Sequence, residues 1–520
     1  MNKEWKVGFD GRSAHQSKII PTIFENRNVN IDKFLNPKIT DIMPLSELNN
    51  IDEAFKIVEQ GLKNNKSFLI WADVDVDGCT SGAIMFRYLH NFTSNIQITI
   101  NSGKSHGIKE CDVSKINADI IIVVDSINEA ECYNKFIELG KQVIVLDHHI
   151  PLSDSYDNIT LVTSARNYSN NHLSGAGVVW KFCKYCDDMF LTDYANNYVD
   201  LATCGIIADM VDLSSLENRA ICNLGFKHLV NIGIKQIVGN YKFNSQSVSF
   251  SVAPLINAAQ RMNLNKLALK LFLTDDIESI NDIIKQLKQA KTDQNKEVSA
   301  LLPKINADFE KQISNSVLVF TIETSHNICG LLANKLINMY QRPVIVVTDC
   351  GSEYCGSLRG YGTDDFRQIC ESCGATAQGH ENAAGIVIKK SDFNDFKIKI
   401  NQEVNLESLK IANYADVQLS LSQIDNKLIN DFKSVNTITG TGFPSLLVLI
   451  DKIRNYAVST MSNGKHLKIV AGDVTLIKWN FEGNIAQFDG RPITVIGGLD
   501  MSYFGRKLTK QIIIADYKVG

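Results

Sequence analysis

At 520 residues the chain is too long for one hydrophobic core, and about two to four domains are expected. Its 44% hydrophobic and 21% charged residues are those of a soluble globular protein, and no apolar run approaches the roughly 18 residues that a membrane span needs. The net charge of −4 gives no global pull toward nucleic acid, although divalent ions bound at an acidic site would reverse the sign locally.

The opening MNKEWKVGFDGRS has no signal-peptide core, so a reduced cytoplasmic setting is expected. Twelve cysteines in this length do not make a disulfide scaffold. The pairs Cys183/Cys186 and Cys370/Cys373 lie in helix-like contexts and read as half-buried thiols rather than as a zinc site.

Residues 1–50 are weakly patterned, with Phe34-Leu35-Asn36-Pro37 as a short packing segment before a turn. Ile51, Ala54, Phe55, Val58 and Leu62 then repeat at helical spacing. Strands are expected at 67–72, 96–100, 119–124, 142–146 and 160–163. Several are continuous Ile/Val runs, as parallel strands buried on both faces require. The helical or turn stretches between them make this a doubly wound α/β domain.

The first of these strands runs into Asp73, Asp75 and Asp77, followed by Gly78. These four fit positions one, three, five and six of a calcium loop, but position twelve is Ile84 where a bidentate Glu is needed. Ligands of open α/β sheets bind beyond the carboxyl ends of the strands. The strand 119–124 ends at Asp125, and 142–146 ends at Asp147-His148-His149. A further apolar stretch, 198–213, carries Asp209 near its end. A buried carboxylate is costly unless paired or metal-bound, so these groups point to hard divalent cations, with imidazole favouring manganese.

Further motifs follow in order. They are Ser174-Gly175-Ala176-Gly177-Val178, Ala208-Asp209, Glu217-Asn218-Arg219, Asn257-Ala258-Ala259-Gln260-Arg261, Gly356-Ser357-Leu358-Arg359 and Gly379-His380-Glu381-Asn382-Ala383-Ala384-Gly385. The whole series resembles the DHH phosphoesterase superfamily, and within it the RecJ-type single-strand-specific exonucleases. The resemblance runs from Phe34 to the C-terminus. Departures from the family's pattern are Ser126-Ile127 for Asn-Gly, Gln260 and Gln378 for glycines, and Gly360 for a serine. None removes a ligand that the resemblance implies.

The resemblance implies two Mn²⁺ or Mg²⁺ ions at the sheet edge. Asp75 and Asp77 would each favour one ion and Asp125 would bridge both. His148 and Asp209 would complete the shells, with His149 on the ions or the scissile phosphate. Asp73 would be a ligand or would accept from one, and Asp147 would orient a histidine. A terminal 5′-phosphate pocket is implied for Ser357, Arg359 and Arg261, and Asn257 is a further substrate-binding residue. His380 would contact the scissile phosphate.

The region 265–314 is polar and helical, with Ile280, Ile283, Ile284 and Leu287 as its apolar stripe. Strands are expected again at 316–322 and 343–348, and the two later glycine-flanked motifs read as turns. Beyond Gly440, strands at 466–470, 475–481, 493–499 and 511–515 suggest a small barrel. Turns at Ser462-Asn463-Gly464 and Glu482-Gly483 separate them. Lys465, His466, Lys468, Arg506 and Lys507 alternate there with Trp479, Phe481, Tyr503 and Phe504, a composition that suits a single strand.

The expected fold is therefore α/β, in five parts. An N-terminal segment (1–50) precedes a parallel-sheet DHH metal-binding catalytic domain (51–264) and a connecting helix (265–314). A smaller α/β DHH-associated domain (315–405) and an OB-like C-terminal β-barrel (406–520) follow. The expected function is 5′-to-3′ exonucleolytic degradation of single-stranded DNA to 5′-mononucleotides, in recombination and repair, by two-metal hydrolysis. Single-stranded DNA is the expected partner of a monomer, with a helicase or a single-strand-binding protein as candidate assistants and no membrane. The alternatives are a phosphodiesterase of short oligoribonucleotides or cyclic dinucleotides, and a non-catalytic single-strand-binding protein on the same fold.

Overall fold

The computed structural model describes residues 4–520 except 104, 110, 410, 411, 482, 505 and 506. Two compact units are present. The larger comprises Trp5–Gln260, Asn265–Lys285 and Asn413–Gly520. The smaller is built mainly from Gln286–Ala412 and includes Arg261–Leu264.

In the larger unit, β1 (Glu4–Asp10) is an edge strand of a sheet completed by the C-terminal region. The next five strands form a wholly parallel sheet. They are β2 (Phe68–Ala72), β3 (Ile96–Ile100), β4 (Ile120–Val124), β5 (Gln142–Asp147) and β6 (Thr160–Thr163), in the order β3-β2-β4-β5-β6. Every residue of β4 is buried, as its Ile/Val run demands. Leu69, Ile121, Val123, Val143 and Val145 pack on one face with Ile108, Tyr133 and Phe136. The helices Val76–His90, Gly175–Phe190 and Val199–Ala208 pack against one another on the other side. The strand order reverses between β2 and β4, so a crevice opens beyond their carboxyl ends.

The smaller unit holds β7 (Leu318–Ile322), β8 (Val344–Asp349), β9 (Glu353–Arg359), β10 (Thr376–His380) and β11 (Ala383–Lys389), ordered β10-β11-β9-β8-β7. Gly356-Ser357-Leu358-Arg359 is not a turn but the end of β9. Its glycine is needed for sheet packing, since a Cβ on Gly356 would lie 1.9 Å from the Val346 carbonyl oxygen. His380 ends β10 at a two-residue hairpin, paired with Ala383. The helical stretch 265–314 is two helices, Asn265–Leu273 and Ile277–Lys311. The break falls where Asp276 accepts from the Ser279 N–H at 2.9 Å and starts the second helix.

The C-terminal strands are β12 (Ala412–Leu419), β13 (Val448–Ile453), β14 (Ala457–Met461), β15 (His466–Ala471), β16 (Val474–Lys478), β17 (Ile493–Phe504) and β18 (Lys507–Val519). With β1 they make one eight-stranded sheet, β1-β12-β13-β17-β18-β16-β15-β14. This is larger than the four short strands expected, and Phe481 lies past the end of β16, buried in the core. The N-terminal residues Ile19, Ile20, Ile23, Phe24 and Phe34 share that core with Val417, Leu428, Phe432, Phe443 and Val448.

Arg219, on the helix Leu216–Lys227, ties that helix to the N-terminal segment and to the chain before β13. Its guanidinium donates to the carbonyls of Phe34 at 3.0 Å and Ile438 at 2.9 Å and lies 3.2 Å from the Phe34 ring centroid. Cys183, Cys186 and Cys370 are fully buried rather than half-buried. Among the described residues no helix is long and apolar enough to cross a membrane.

Candidate metal centre

Each element of the crevice presents its charged group for a local reason. Asp75 is the N-cap of the helix Val76–His90 and accepts from the Gly78 N–H at 2.9 Å. Asp77, in the first turn of that helix, is buried against the start of the helix Gly175–Phe190. It accepts from the N–H groups of Gly175 at 2.7 Å and Ala176 at 3.0 Å. Ser174 caps that helix by accepting from Gly177. Gly205 is needed opposite, because a Cβ there would meet Asp77 Oδ1 at 2.1 Å.

Asp125 follows β4 with φ 59°, in the left-handed region that costs most L-residues roughly 1–2 kcal/mol. Its N–H still bonds the Leu146 carbonyl at 3.0 Å, so the turn keeps the sheet register while redirecting the carboxylate. At the end of β5, fully buried Asp147 accepts from the His148 N–H at 2.7 Å and bonds His149 Nδ1 at 2.9 Å. Asp209 caps the C-terminal end of the helix Val199–Ala208.

These groups converge. His148 Nε2 lies 3.3 Å from Asp125 Oδ1, 3.6 Å from Asp209 Oδ2 and 3.9 Å from Asp77 Oδ2. Three sets have ligand atoms within 4.8 Å of one another: Asp77/His148/Asp209, Asp73/Asp75/Asp125, and Asp125/Asp147/His148/His149. Asp125 is common to two of them. All the residues expected at the sheet edge are thus brought together, Asp73 included.

The electrostatics of the site favour positive charge. Burial, reinforced by Asp77 and Asp75, holds the Asp125 carboxyl well above its usual range. Burial also raises Asp73 and Asp77, and it raises Asp209 to about 8. Burial lowers His148. For His149 burial opposes the charge, but the Asp147 carboxylate overrides it and raises the imidazole to about 10. Asp125 Oδ1, Asp147 Oδ2, Asp73 Oδ1 and His148 Nε2 are buried without a hydrogen-bond partner. Four oxygen or nitrogen atoms left orphaned among mutually repelling carboxylates fit hard divalent cations, which supply the charge and the lone-pair acceptor together.

Sequence reasoning missed His106. Its Nδ1 lies 2.7 Å from Asp73 Oδ2, from a loop that follows β3. The only local sign was glycine on both sides of it, at Gly103 and Gly107.

Ser357, Arg359 and Arg261 belong to the smaller unit, and Asn257 to the larger one. Arg359 donates to Asn334 Oδ1 at 2.6 Å and to the Leu358 carbonyl at 2.7 Å. A Cβ on Gly330, in the first turn of the helix Cys329–Tyr340, would lie 3.0 Å from Arg359 Nη2 and 3.2 Å from Ser357 Oγ. Burial lowers both arginines, and Arg261 adds to the effect on Arg359. Two desolvated guanidiniums beside a hydroxyl and a helix N-terminus suit an oxyanion. Gly330 and Asn334 were also not foreseen. His380 is exposed, and Asn257 is half-buried on the helix Ala253–Arg261.

Trp479, just past β16, and Tyr503, on β17, are exposed, and His466 meets Trp479 edge-on at 4.8 Å between centroids. Lys465 is exposed and Lys468 half-buried. Phe481 belongs to the core instead. Arg506 and Glu482 lie outside the described residues, as do the side chains of Phe504 and Lys507.

Three domain models match in series: the DHH family N-terminal domain over residues 67–206, the DHHA1 domain over 314–406 and the RecJ OB domain over 415–516. The chain belongs to the DHH family. It is 28% identical to a putative SPbeta prophage-derived single-strand DNA-specific exonuclease, YorK, of Bacillus subtilis, with 96% of each chain covered. Bacillus subtilis RecJ, a single-stranded-DNA-specific exonuclease, is 24% identical, with 94% of this chain and 65% of RecJ covered. In fold, this DHH-family chain is similar to Thermus thermophilus RecJ in its Mn²⁺ complex, with a TM-score of 0.80 at 22% identity over 99% of this chain and 79% of that one. The Mg²⁺ complex of the same protein gives 0.76.

Proposed function

We propose that this DHH-family protein is a 5′-to-3′ exonuclease of single-stranded DNA that releases 5′-mononucleotides and acts in DNA recombination and repair. The observation that carries the reading is the buried convergence of Asp77, Asp125 and Asp209 on His148 Nε2, in a chain whose relatives are named single-strand DNA-specific exonucleases. Asp75 and Asp77 would each hold one of two Mn²⁺ or Mg²⁺ ions, with Asp125 shared, His148 and Asp209 completing the set, and Asp73 and His149 beside them. When bound, the ion pair neutralises phosphate charge and makes a nucleophile available at neutral pH.

The protein's own groups do the rest. Asp147 takes the backbone N–H of His148 and the ring nitrogen of His149, and so holds the turn that carries the first imidazole and orients the second. The two N–H groups at Gly175 and Ala176 hold Asp77 in one orientation. His149, charged through Asp147 and partly exposed, can meet a phosphate oxygen. Ser357, Arg359 and Arg261 would take the terminal 5′-phosphate, Asn257 would assist in binding, and His380 would contact the scissile phosphate. Residues 51–264 would cut, 315–405 would hold the strand's end, and 406–520 would bind the strand beyond it.

The test is product analysis. A long 3′-labelled, 5′-phosphorylated single strand should yield 5′-mononucleotides from its 5′ end in Mn²⁺ and none in EDTA, while its duplex should resist. Cleavage confined to dinucleotides or cyclic dinucleotides would overturn the reading.

A further inference from the structure

The described residues of the loop that follows β3 are held at several points. Asn101 Nδ2 donates to the Gly107 carbonyl at 2.6 Å and the Ser105 carbonyl at 3.2 Å, closing the loop on itself. From the start of the helix Asn265–Leu273, Asn265 Nδ2 donates to the carbonyls of Asn101 at 2.8 Å and Gly103 at 2.9 Å. The Ile108 N–H is received by Asn128 Oδ1 at 2.8 Å. Gly107 has φ 65°, and a Cβ there would meet the same Oδ1 at 2.2 Å. So many fixed points on a short loop serve to place one side chain, and the side chain they place is His106.

His106 Nδ1 lies 2.7 Å from Asp73 Oδ2. The other oxygen of Asp73 is buried and without a hydrogen-bond partner, and Asp73 shares a ligand set with Asp75 and Asp125. One oxygen of the carboxylate is thus tied from outside while the second is left for the ion. An imidazole bonded to one oxygen of a ligating carboxylate fixes its rotamer and so aims the other oxygen. We propose that His106 is a positioning residue that makes Asp73 a ligand of the ion shared with Asp75 and Asp125, and that the Asn101–Gly107 loop exists to deliver it. The inference rests on the two-ion reading of the site. It concerns only one of the two ion positions, because Asp77, His148 and Asp209 make no hydrogen bond or ion pair with His106 among those described.

The experiment is Mn²⁺ titration of the 520-residue protein, followed by isothermal calorimetry and by electron paramagnetic resonance of free and bound Mn²⁺, without nucleic acid. The unsubstituted protein should bind two ions. His106→Ala should weaken one of them by about 10–100-fold, the usual cost of losing such a partner, and leave the other within about 3-fold. Asp73→Ala should give the same pattern, and the double variant should be no worse than Asp73→Ala alone. His106→Asn, which keeps a donor near the position of Nδ1, should recover most of the loss. The His106 side chain is 56% exposed, so these variants should fold, and circular dichroism with thermal melting checks that. Unchanged Mn²⁺ binding in His106→Ala would overturn the proposal, as would equal loss at both ions. No rescue by Asn would also overturn it, since that would make the imidazole itself a ligand. Failure of the unsubstituted protein to bind two ions would instead remove the two-ion reading on which the proposal stands.

Discussion

Gly175 and Asp125 are in contact by necessity: a Cβ on Gly175 would lie 2.3 Å from Asp125 Oδ1. The glycine lets the start of one helix close over the carboxylate that two ligand sets share, while its N–H holds Asp77. Gly175→Ala should therefore displace Asp125 and lower Mn²⁺ affinity by on the order of 10-fold or more. The accompanying overpacking should cost about 1–3 kcal/mol of stability. Calorimetric Mn²⁺ titration and a urea melt check the two effects separately.

Asp125→Ala separates activity from stability in the opposite way. Burial beside Asp77 and Asp75 makes this carboxylate unfavourable when no ion is bound. Cleavage should fall by on the order of 1,000-fold, as for loss of a group that fixes charge in the transition state. The melting temperature in EDTA should not fall and should rise, despite the loss of a buried side chain. Near-normal nuclease activity would remove Asp125 from the shared position.

The pH dependence of the metal-free protein has a definite sign. Asp209 is raised to about 8 by burial and by Asp77, and His149 to about 10 by Asp147. Both groups hold protons more tightly folded than unfolded. Their contribution to stability is full below the unfolded values and is lost as pH rises through the folded ones. Stability in EDTA should thus decline between about pH 6.5 and 9. Mn²⁺ should oppose the decline, adding about 2.7 kcal/mol at 100 times its dissociation constant, with the larger gain at the higher pH. Thermal melts at pH 6.5 and 9, with and without Mn²⁺, decide it. Equal Mn²⁺ gains at the two values would argue against ligation by Asp209.

Glu217-Asn218-Arg219 shows how a motif can belong to a functional series without touching the site. Glu217 is fully buried, paired with buried Lys181 at 2.6 Å, and accepts from Tyr168 at 2.7 Å and Asn170 at 2.9 Å. Asn218 bonds the carbonyls of His172 and Asp212, and Arg219 bonds those of Phe34 and Ile438. Glu217→Ala should strand the Lys181 ammonium and cost about 3–5 kcal/mol, with activity per folded molecule retained. Denaturant unfolding with active-site counting by Mn²⁺ separates those two quantities.

What was legible in the sequence follows from how local each constraint is. The strands 96–100 and 160–163 have the expected bounds because their apolar runs are continuous and sharply ended. The carboxylates of the centre were legible because a parallel sheet puts the residue after each strand at one edge. The role of residues 1–50 was not legible, since β1 pairs with β12 some four hundred residues away and Phe34 packs under Phe443. No local pattern encodes such a partner. His106 escaped for the same reason, because its function is set by Asn265 and Asn128 and by nothing adjacent to it. Gly356 was misread as a turn because glycine signals either freedom or closeness, and only the Val346 carbonyl decides which.

Arg359 offers the most direct test of the strand's end. Its guanidinium is held by Asn334 and the Leu358 carbonyl, next to Ser357 and under the influence of Arg261. Two half-buried guanidiniums, with Arg261 disfavouring the charge on Arg359, suit an anion, and the first turn of the helix Cys329–Tyr340 adds its own N–H groups. A charge-assisted bond of this kind contributes about 1.5–3 kcal/mol. Arg359→Ala should therefore reduce the preference for a 5′-phosphorylated over a 5′-hydroxyl strand by roughly 10–100-fold. Cleavage of the 5′-hydroxyl strand should change little, because the metal centre is untouched. Asn334→Ala, which frees the guanidinium without removing it, should give a smaller loss in the same direction. The measurement is kcat/KM on a matched pair of strands differing only at the 5′ end, and an unchanged ratio in Arg359→Ala would place the phosphate elsewhere.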